Sequence, residues 1–297
     1  MPWSKCALDW VDDDTGEAFL SVVFTWDLPD AYSRAVWLRQ LGYTVHAGGP
    51  AVALMPDYLA GVATCNGREV AALERHNPAA TFTSRGCIRR CPFCAVPRIE
   101  GDLRELDDWP VRPIVCDNNL LACSRAHFDR VVDRLRPLSG IDFNQGLDAR
   151  LLTKYHAERL AELDCLVRLA WDDMAYERPF WRAYEMLRAV GFPADRIRAY
   201  VLIGYNDTPE DALCRLRAIW ERGSFPDPMR YQPLDALTFN SYVGEYWTER
   251  ELRRYTRYWS RLFWFSVRFK IPFGQFEMPG HAYAVPTRER MEESPDA

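Results

Sequence analysis

Three cysteines fall within nine residues, Gly86-Cys87-Ile88-Arg89-Arg90-Cys91-Pro92-Phe93-Cys94. Three residues separate the first pair and two separate the second. Spacers this short let several thiolates reach one centre, which is how proteins grip a metal ion or an iron–sulfur cluster. The next cysteines are Cys65 upstream and Cys116 downstream, so the loop holds no fourth thiol. Three ligands on a four-iron cluster leave one iron open to a substrate or cofactor, by the logic of the open position in catalytic zinc sites. Arg85, Arg89, Arg90 and Arg98 surround the loop. Cations there favour thiolate over thiol and offset the negative charge of a cluster. The same three thiols also suit a structural zinc knuckle completed by a distant ligand such as His76 or Cys116.

CxxxCxxC with an aromatic, Phe93, just before the last cysteine resembles the cluster loop of the radical SAM superfamily. The resemblance implies a [4Fe-4S] cluster on Cys87, Cys91 and Cys94, whose vacant iron chelates S-adenosylmethionine (SAM). It implies reductive cleavage of SAM to a 5′-deoxyadenosyl radical, hydrogen abstraction from a substrate, and an external electron donor of flavodoxin or ferredoxin type. The alternative from another class is an iron–sulfur or zinc protein that binds nucleic acid without SAM chemistry. That module would have no need for the polar groups found further along the chain.

Those groups follow apolar runs that read as strands. Asp117-Asn118-Asn119 offers a carboxylate and two amide oxygens, the acceptors that an amino acid ammonium needs. In position it resembles the superfamily segment that holds the methionyl amine; an Asx turn capping a helix is the plain alternative. Asn144-Gln145-Gly146-Leu147-Asp148-Ala149-Arg150 comes next. Gln145 belongs to its polar cluster, and Arg150 either takes the SAM carboxylate as a bidentate partner or forms a surface pair with Asp148. Arg168 lies among apolar neighbours before Trp171-Asp172-Asp173; buried, it needs a partner, with Asp148 or the SAM carboxylate as candidates. Tyr200-Val-Leu-Ile-Gly204-Tyr-Asn-Asp207 is similar to the superfamily strand whose backbone meets the adenine, with Leu202 at the contacting position.

The elements that must position these residues alternate strand and helix. Thr81–Ser84 leads into the cysteine loop. Further strands are expected at 113–117, 140–144, 165–170, 197–203 and 229–232, with helices at 125–135, 151–163, 178–190 and from Thr208-Pro209 onward. Six βα repeats predict a parallel sheet, a partial (β/α)6 TIM-like barrel with its chemistry at the C-terminal ends of the strands. Upstream, a strand at Phe19–Thr25, a helix capped by Asp30 and ended by Gly42, a strand at Tyr43–His46 and a Gly48-Gly49-Pro50 turn predict a small βαβ unit. It resembles a truncated Rossmann-like, cobalamin-binding-type domain, and the whole chain resembles the cobalamin-domain and methylthiotransferase branch. The unit lacks the Asp-x-His-x-x-Gly that supplies the cobalt ligand, and His46 reads as structural, so cobalamin is not expected. Methylthiotransferase activity is not expected either, because only Cys6 and Cys65 precede the loop. An auxiliary cluster would draw on Cys116 and Cys123; otherwise Cys116, Cys165 and Cys214 read as small core residues. The organisation expected is residues 1–76 as the N-terminal α/β unit, 77–235 as the barrel, 236–285 as a helical extension closing it, and 286–297 as a disordered tail.

The chain has 297 residues, 48% apolar, and a formal net charge of −5. No apolar run approaches the ~20 residues needed to cross a bilayer. Met1–Asp14 carries acids and no apolar h-region, unlike a signal peptide. Nine cysteines without an export signal point to reduced thiols in the cytoplasm. Charge is uneven: Thr248–Lys270 holds seven cations against two acids, a net +5 that leaves −10 for the rest. Leu252, Tyr255, Trp259 and Leu262 recur there at helical spacing. The segment reads either as a structural lid or as a clamp whose arginines, Arg253, Arg254 and Arg257 among them, face a nucleic-acid substrate.

Overall fold

The computed structural model describes Trp3, residues 7–65 and residues 72–274. Cys6, the expected 286–297 tail and the end of the helical extension lie outside the described residues. In chain order the elements are β1 (Leu8–Asp12), β2 (Glu17–Ser21), α1 (Leu28–Gln40), β3 (Thr44–Gly48), α2 (Pro50–Leu54), α3 (Ala72–His76), β4 (Ala80–Thr81), β5 (Ser84–Arg85), α4 (Val96–Ile99), β6 (Arg104–Glu105), β7 (Ile114–Val115), α5 (Arg125–Leu135), β8 (Ile141–Phe143), α6 (Lys154–Leu160), β9 (Cys165–Ala170), α7 (Glu177–Ala189), β10 (Ile197–Ile203), α8 (Pro209–Glu221), β11 (Phe225–Arg230) and α9 (Glu249–Phe269). The protein is mixed α/β, and β4, β7, β8, β9, β10 and β11 follow one another in that order in a six-stranded sheet; β4 pairs β7, β7 pairs β8, β9 pairs β10 and β10 pairs β11, all parallel. Among the described residues no helix is long and apolar enough to cross a membrane.

The chain divides into two compact units. The first comprises residues 1–147 with 162–165 and 232–242; the second comprises 148–161, 166–231 and 243–297. The first unit opens with β1 antiparallel to β2 and β2 parallel to β3. Leu20, Val22, Leu28, Ala31, Leu38 and Val45 fill the core beneath α1. The hairpin with β1 was not foreseen, because Leu8–Asp12 alternates too weakly to read as a strand. Helix α1 starts at Leu28 rather than at a cap on Asp30. Pro29 suits the first turn, and Asp30 instead pairs with Arg34 at 2.7 Å. The Gly48-Gly49-Pro50 turn runs straight into α2. Gly49 has φ +100°, and a Cβ there would lie 2.5 Å from the Val22 carbonyl.

In the second unit β9, β10 and β11 run parallel, with Arg198 beside Arg168 and Tyr200 beside Asp227. Side chains alternate across a strand. Val167, Leu169, Ala199, Val201 and Ile203 form a fully buried apolar face, while Arg168, Arg198, Tyr200 and Asp227 share the other. Helix α8 begins at a capping box on Thr208, which accepts from Asp211 N at 3.2 Å, with Pro209 in its first turn. Its inward residues Ala212, Arg215, Leu216 and Ile219 put Cys214 on the outer side, so Cys214 is exposed and not core; Cys116 and Cys165 are buried as expected. Helix α6 is shorter than the 151–163 expected, since Thr153 and His156 form a capping box that starts it at Lys154.

Strand β11 corrects a second boundary, for it begins at Phe225 and not at Met229. Pro226 and Pro228 fit within the strand because β11 is the edge of its sheet. Tyr231 N–H donates to Ile203 O at 2.9 Å, so odd-numbered residues turn their amides to β10. The two prolines turn their missing donors outward, where a ladder bond is not required.

Candidate functional site

The cysteine loop is a closed excursion from the first unit. Its ends are zipped by β5 and β6, with Ser84 opposite Glu105 and Arg85 opposite Arg104. Glu100 accepts from Arg85 Nε at 2.9 Å and pairs with Arg104 at 3.5 Å. Gly86, at φ +76°, makes the turn into the cysteines, and a Cβ there would fall 2.1 Å from Asp102 O. Cys87 N–H then donates to Gly101 O at 3.2 Å, and Cys94 N–H to Cys91 O at 3.0 Å. Two arginines of the sequence cluster hold acids of the returning segment: Arg85 binds Glu100, and Arg90 binds Asp102 at 3.1 Å. Helix α4, inside the excursion, packs on α2.

Cys87, Cys91 and Cys94 are reduced and half-buried, with Phe93 half-buried between them. Two N–H groups point at one of the sulfurs: Arg89 N at 3.3 Å and Asn119 Nδ2 at 3.4 Å from Cys87 Sγ. Among the described residues no three His, Cys, Asp or Glu side chains are gathered closely enough to hold a metal ion. The thiols share a loop but not a single focus.

The segment after β7 grips this loop directly. Asp117 is 4% exposed. Its carboxylate accepts from Thr83 N at 2.6 Å, Ser84 N at 3.0 Å and the Thr83 hydroxyl. Burial pushes its pKa up and these hydrogen bonds pull it down. Asn118 Oδ1 accepts from Gly86 N at 3.0 Å, and Asn119 reaches Cys87. Three successive side chains thus hold four points along 83–87.

Behind Asp117 lies a chain of donors whose directions are forced. The Thr83 hydroxyl donates to Asp117, so it accepts from His127 Nε2 at 3.2 Å. His127 Nδ1 then accepts from Arg130 at 2.8 Å. The neutral Nε2–H tautomer satisfies both contacts, and burial lowers the His127 pKa, which favours that neutral form. Neither Thr83 nor His127 stood out in the sequence, since both look like ordinary members of an amphipathic pattern. The only local signal was Ser124, which caps α5 by accepting from His127 N at 3.2 Å.

Cys116 and Cys123 are desolvated thiols. Burial pushes Cys116 up to about 12 and Cys123 up to about 11, which disfavours the thiolate that ligation needs. Gln145 is exposed at the C-terminal side of β8.

Arg150, Arg168 and Leu202 belong to the second unit. Arg150 forms a bidentate pair with Asp148, at 2.7 and 3.1 Å, and lies 4.8 Å over the Tyr176 ring. Arg168 is 8% exposed. Its neighbours include the Tyr200 ring at 5.5 Å and Asp227. Burial raises the Asp227 pKa, and Arg168 and Arg198 lower it. Sheet register decides this, because strand partners meet whatever their separation in the chain.

Leu202 offers its backbone N–H to Asp172, in the polar Trp171-Asp172-Asp173 segment beyond β9. Burial pushes the Asp172 carboxyl up to about 6, against the pull of Arg215, Leu202 N–H and Arg150. Asp207 serves structure: it accepts from Gly204 N at 2.9 Å and pairs with Arg215. The buried Arg215 also donates to Trp171 O at 2.9 Å.

No protein-family model matches the chain, and no curated protein matches it.

Proposed function

We propose that the chain is a cytoplasmic radical SAM enzyme built on a partial (β/α)6 barrel, with Cys87, Cys91 and Cys94 holding a [4Fe-4S] cluster. The observation that carries the reading is the CxxxCxxC loop at the end of the first strand of a parallel sheet, with Asn119 of the next strand end hydrogen-bonded to Cys87 Sγ. The donor chemistry suits the group, and binding it would require the three thiols to converge from their present positions. It offers three reduced thiols on one short loop, half-exposed, with N–H donors already directed at one sulfur. Such N–H···S contacts tune the potential of thiolate-held clusters. When bound, the cluster supplies the electron that cleaves the SAM sulfonium, with hydrogen abstraction from substrate as the outcome.

The chain's own residues supply position. Asp117 and Asn118 fix the backbone on the approach to Cys87. The backbone at Leu202 is the proposed adenine contact. Arg150 would hold the SAM carboxylate only by sharing its guanidinium with Asp148, and Arg168 would serve the same ligand while balancing Asp227. A flavodoxin- or ferredoxin-type donor is the partner this chemistry requires.

Anaerobic reconstitution tests the proposal. The expected product is brown, holds about four irons per chain, bleaches with dithionite and converts SAM to 5′-deoxyadenosine. Cys91→Ala should lose the iron. A colourless chain that takes up zinc, or near-normal iron in Cys91→Ala, would overturn the reading in favour of a zinc or iron–sulfur module without SAM chemistry.

A further inference from the structure

Helix α9 has two opposed faces. Thr248 caps it in a box with Glu251, and Leu252, Tyr255, Trp259, Leu262 and Ser266 are buried within the second unit. Tyr255 Oη donates to Pro209 O at 2.6 Å, and Trp259 meets the Trp220 ring at 6.1 Å. The apolar stripe is therefore already occupied by the unit's own core.

The opposite face is a row of cations. Arg250, Arg257, Arg261, Trp264 and Arg268 are all exposed. At ~100° per residue they fall within about 60° of one another, and at ~1.5 Å per residue they run along about 27 Å of helix. From Leu252 to Phe276 the sequence contains no Asp or Glu. The two acids of the first turn are engaged: Glu249 by Arg230 and Arg253, and Glu251 by the Thr248 cap. Among the described residues Arg250, Arg257, Arg261 and Arg268 make no ion pair. A solvated face ordinarily interleaves both signs, because like charges three or four residues apart cost about 0.2–0.5 kcal/mol each. This face keeps that repulsion in a chain whose net charge is −5. Its natural complement is a polyanion.

We propose that the outer face of α9 is a docking surface for single-stranded nucleic acid, with arginines on successive phosphates and Trp264 stacked on a base. Trp264 is 55% exposed and interrupts the row between Arg261 and Arg268. An unstacked base offers that ring a flat partner, whereas a duplex hides its base faces. An anionic bilayer is the weaker match. A helix lying in a membrane interface needs its apolar face free, and that face of α9 is buried; only Trp264, Val267 and Phe269 in the last two turns remain exposed. The proposal is independent of the cluster reading and is tested without any cluster present.

The experiment is fluorescence anisotropy of the full chain with labelled oligo-U and oligo-dT of about 15 nucleotides, from ~25 to ~250 mM salt. Binding is expected, with log K falling linearly against log salt. The double variant Arg257→Glu, Arg261→Glu should flatten that slope by about 1.4, roughly 0.7 per phosphate contact. Trp264→Ala should weaken binding by roughly 5- to 150-fold at unchanged slope, the stacking contribution of one base. Arg257→Lys, Arg261→Lys keeps the charge and should restore the slope, and circular dichroism confirms that each variant is folded. The proposal is overturned by an absence of binding at ~25 mM salt, by a folded charge-reversal variant that binds as well as wild type, by a duplex of equal length binding as tightly as the single strand, or by capture on phosphatidylserine vesicles in place of RNA and DNA.

Discussion

Asp117 uses its charge on backbone amides. A buried carboxylate is tolerated only when its lone pairs are filled, and Thr83 and Ser84 fill them. The donor chain behind it makes His127 a positioning residue. His127→Leu removes the donor that enters the Thr83 hydroxyl and strands Arg130 beside an apolar group. We expect a loss of about 1–3 kcal/mol in urea unfolding, together with faster iodoacetamide labelling of Cys87 in the metal-free chain. His127→Gln, which keeps one donor and one acceptor, should recover most of both. Stability should also respond to acid through this residue. Burial holds the folded His127 pKa below the unfolded value of ~6.5, so its contribution is complete above ~6.5 and is lost as pH falls below it. Asp172 has the opposite sign. Its folded carboxyl sits near 6, above the usual value of 3.8, so stability falls as pH rises between those values and the cost is full above them. Asp172→Asn keeps an oxygen for Leu202 N–H. It should stabilise the protein by roughly 1–3 kcal/mol near pH 8, with no gain near pH 4; an equal gain at both pH values would show that the carboxyl is not raised.

Local signals placed most of the secondary elements. Thr208 caps the helix its position announced, Ser124 and Thr248 cap theirs in the same way, and the apolar runs at β9 and β10 gave their bounds directly. The cysteine loop depends on a different kind of feature. Its entry turns on Gly86, where a side chain would meet both left-handed backbone strain and the Asp102 carbonyl. Gly86→Ala should cost more than about 1–2 kcal/mol and abolish iron uptake on reconstitution, while the circular dichroism of the helices stays unchanged. Retained iron in that variant would show that the loop path does not matter to the site.

Across the whole chain, the two units build their cores from residues outside the cysteine loop. Leu20, Leu28 and Leu38 anchor one, and Val167, Val201 and Leu216 anchor the other. The three loop thiols are only half-buried. Metal-free protein should therefore unfold cooperatively, and replacing Cys87, Cys91 and Cys94 together by serine should move its Tm by less than about 3 °C, since side chains away from buried cores change stability by about 0.5 kcal/mol. A metal-free chain with no thermal transition would instead mean that the metal drives folding. The charge asymmetry also belongs to this level, because the cations of α9 stand in a chain that is otherwise acidic.

Spacing along the chain was enough to specify the α/β alternation, the cap of α8, the apolar stripe of α9 and the thiol loop. Each of these is set by neighbours within a few residues, through helical or strand periodicity and short loop closure. Contacts between distant segments were decided by the tertiary structure. The sequence offered Asp117, Asn118 and Asn119 as acceptors, but only the pairing of β4 with β7 brings them onto Thr83, Ser84, Gly86 and Cys87. It offered Arg168 with Asp148 or the SAM carboxylate as candidate partners, and the register of β9, β10 and β11 added Tyr200 and Asp227. It placed the last strand at 229–232, whereas β11 starts at Phe225 because its edge position leaves the missing amide donors of Pro226 and Pro228 facing away from the ladder. Local rules describe what one segment prefers, whereas hydrogen-bond satisfaction of a buried polar group depends on which other segment folding brings beside it.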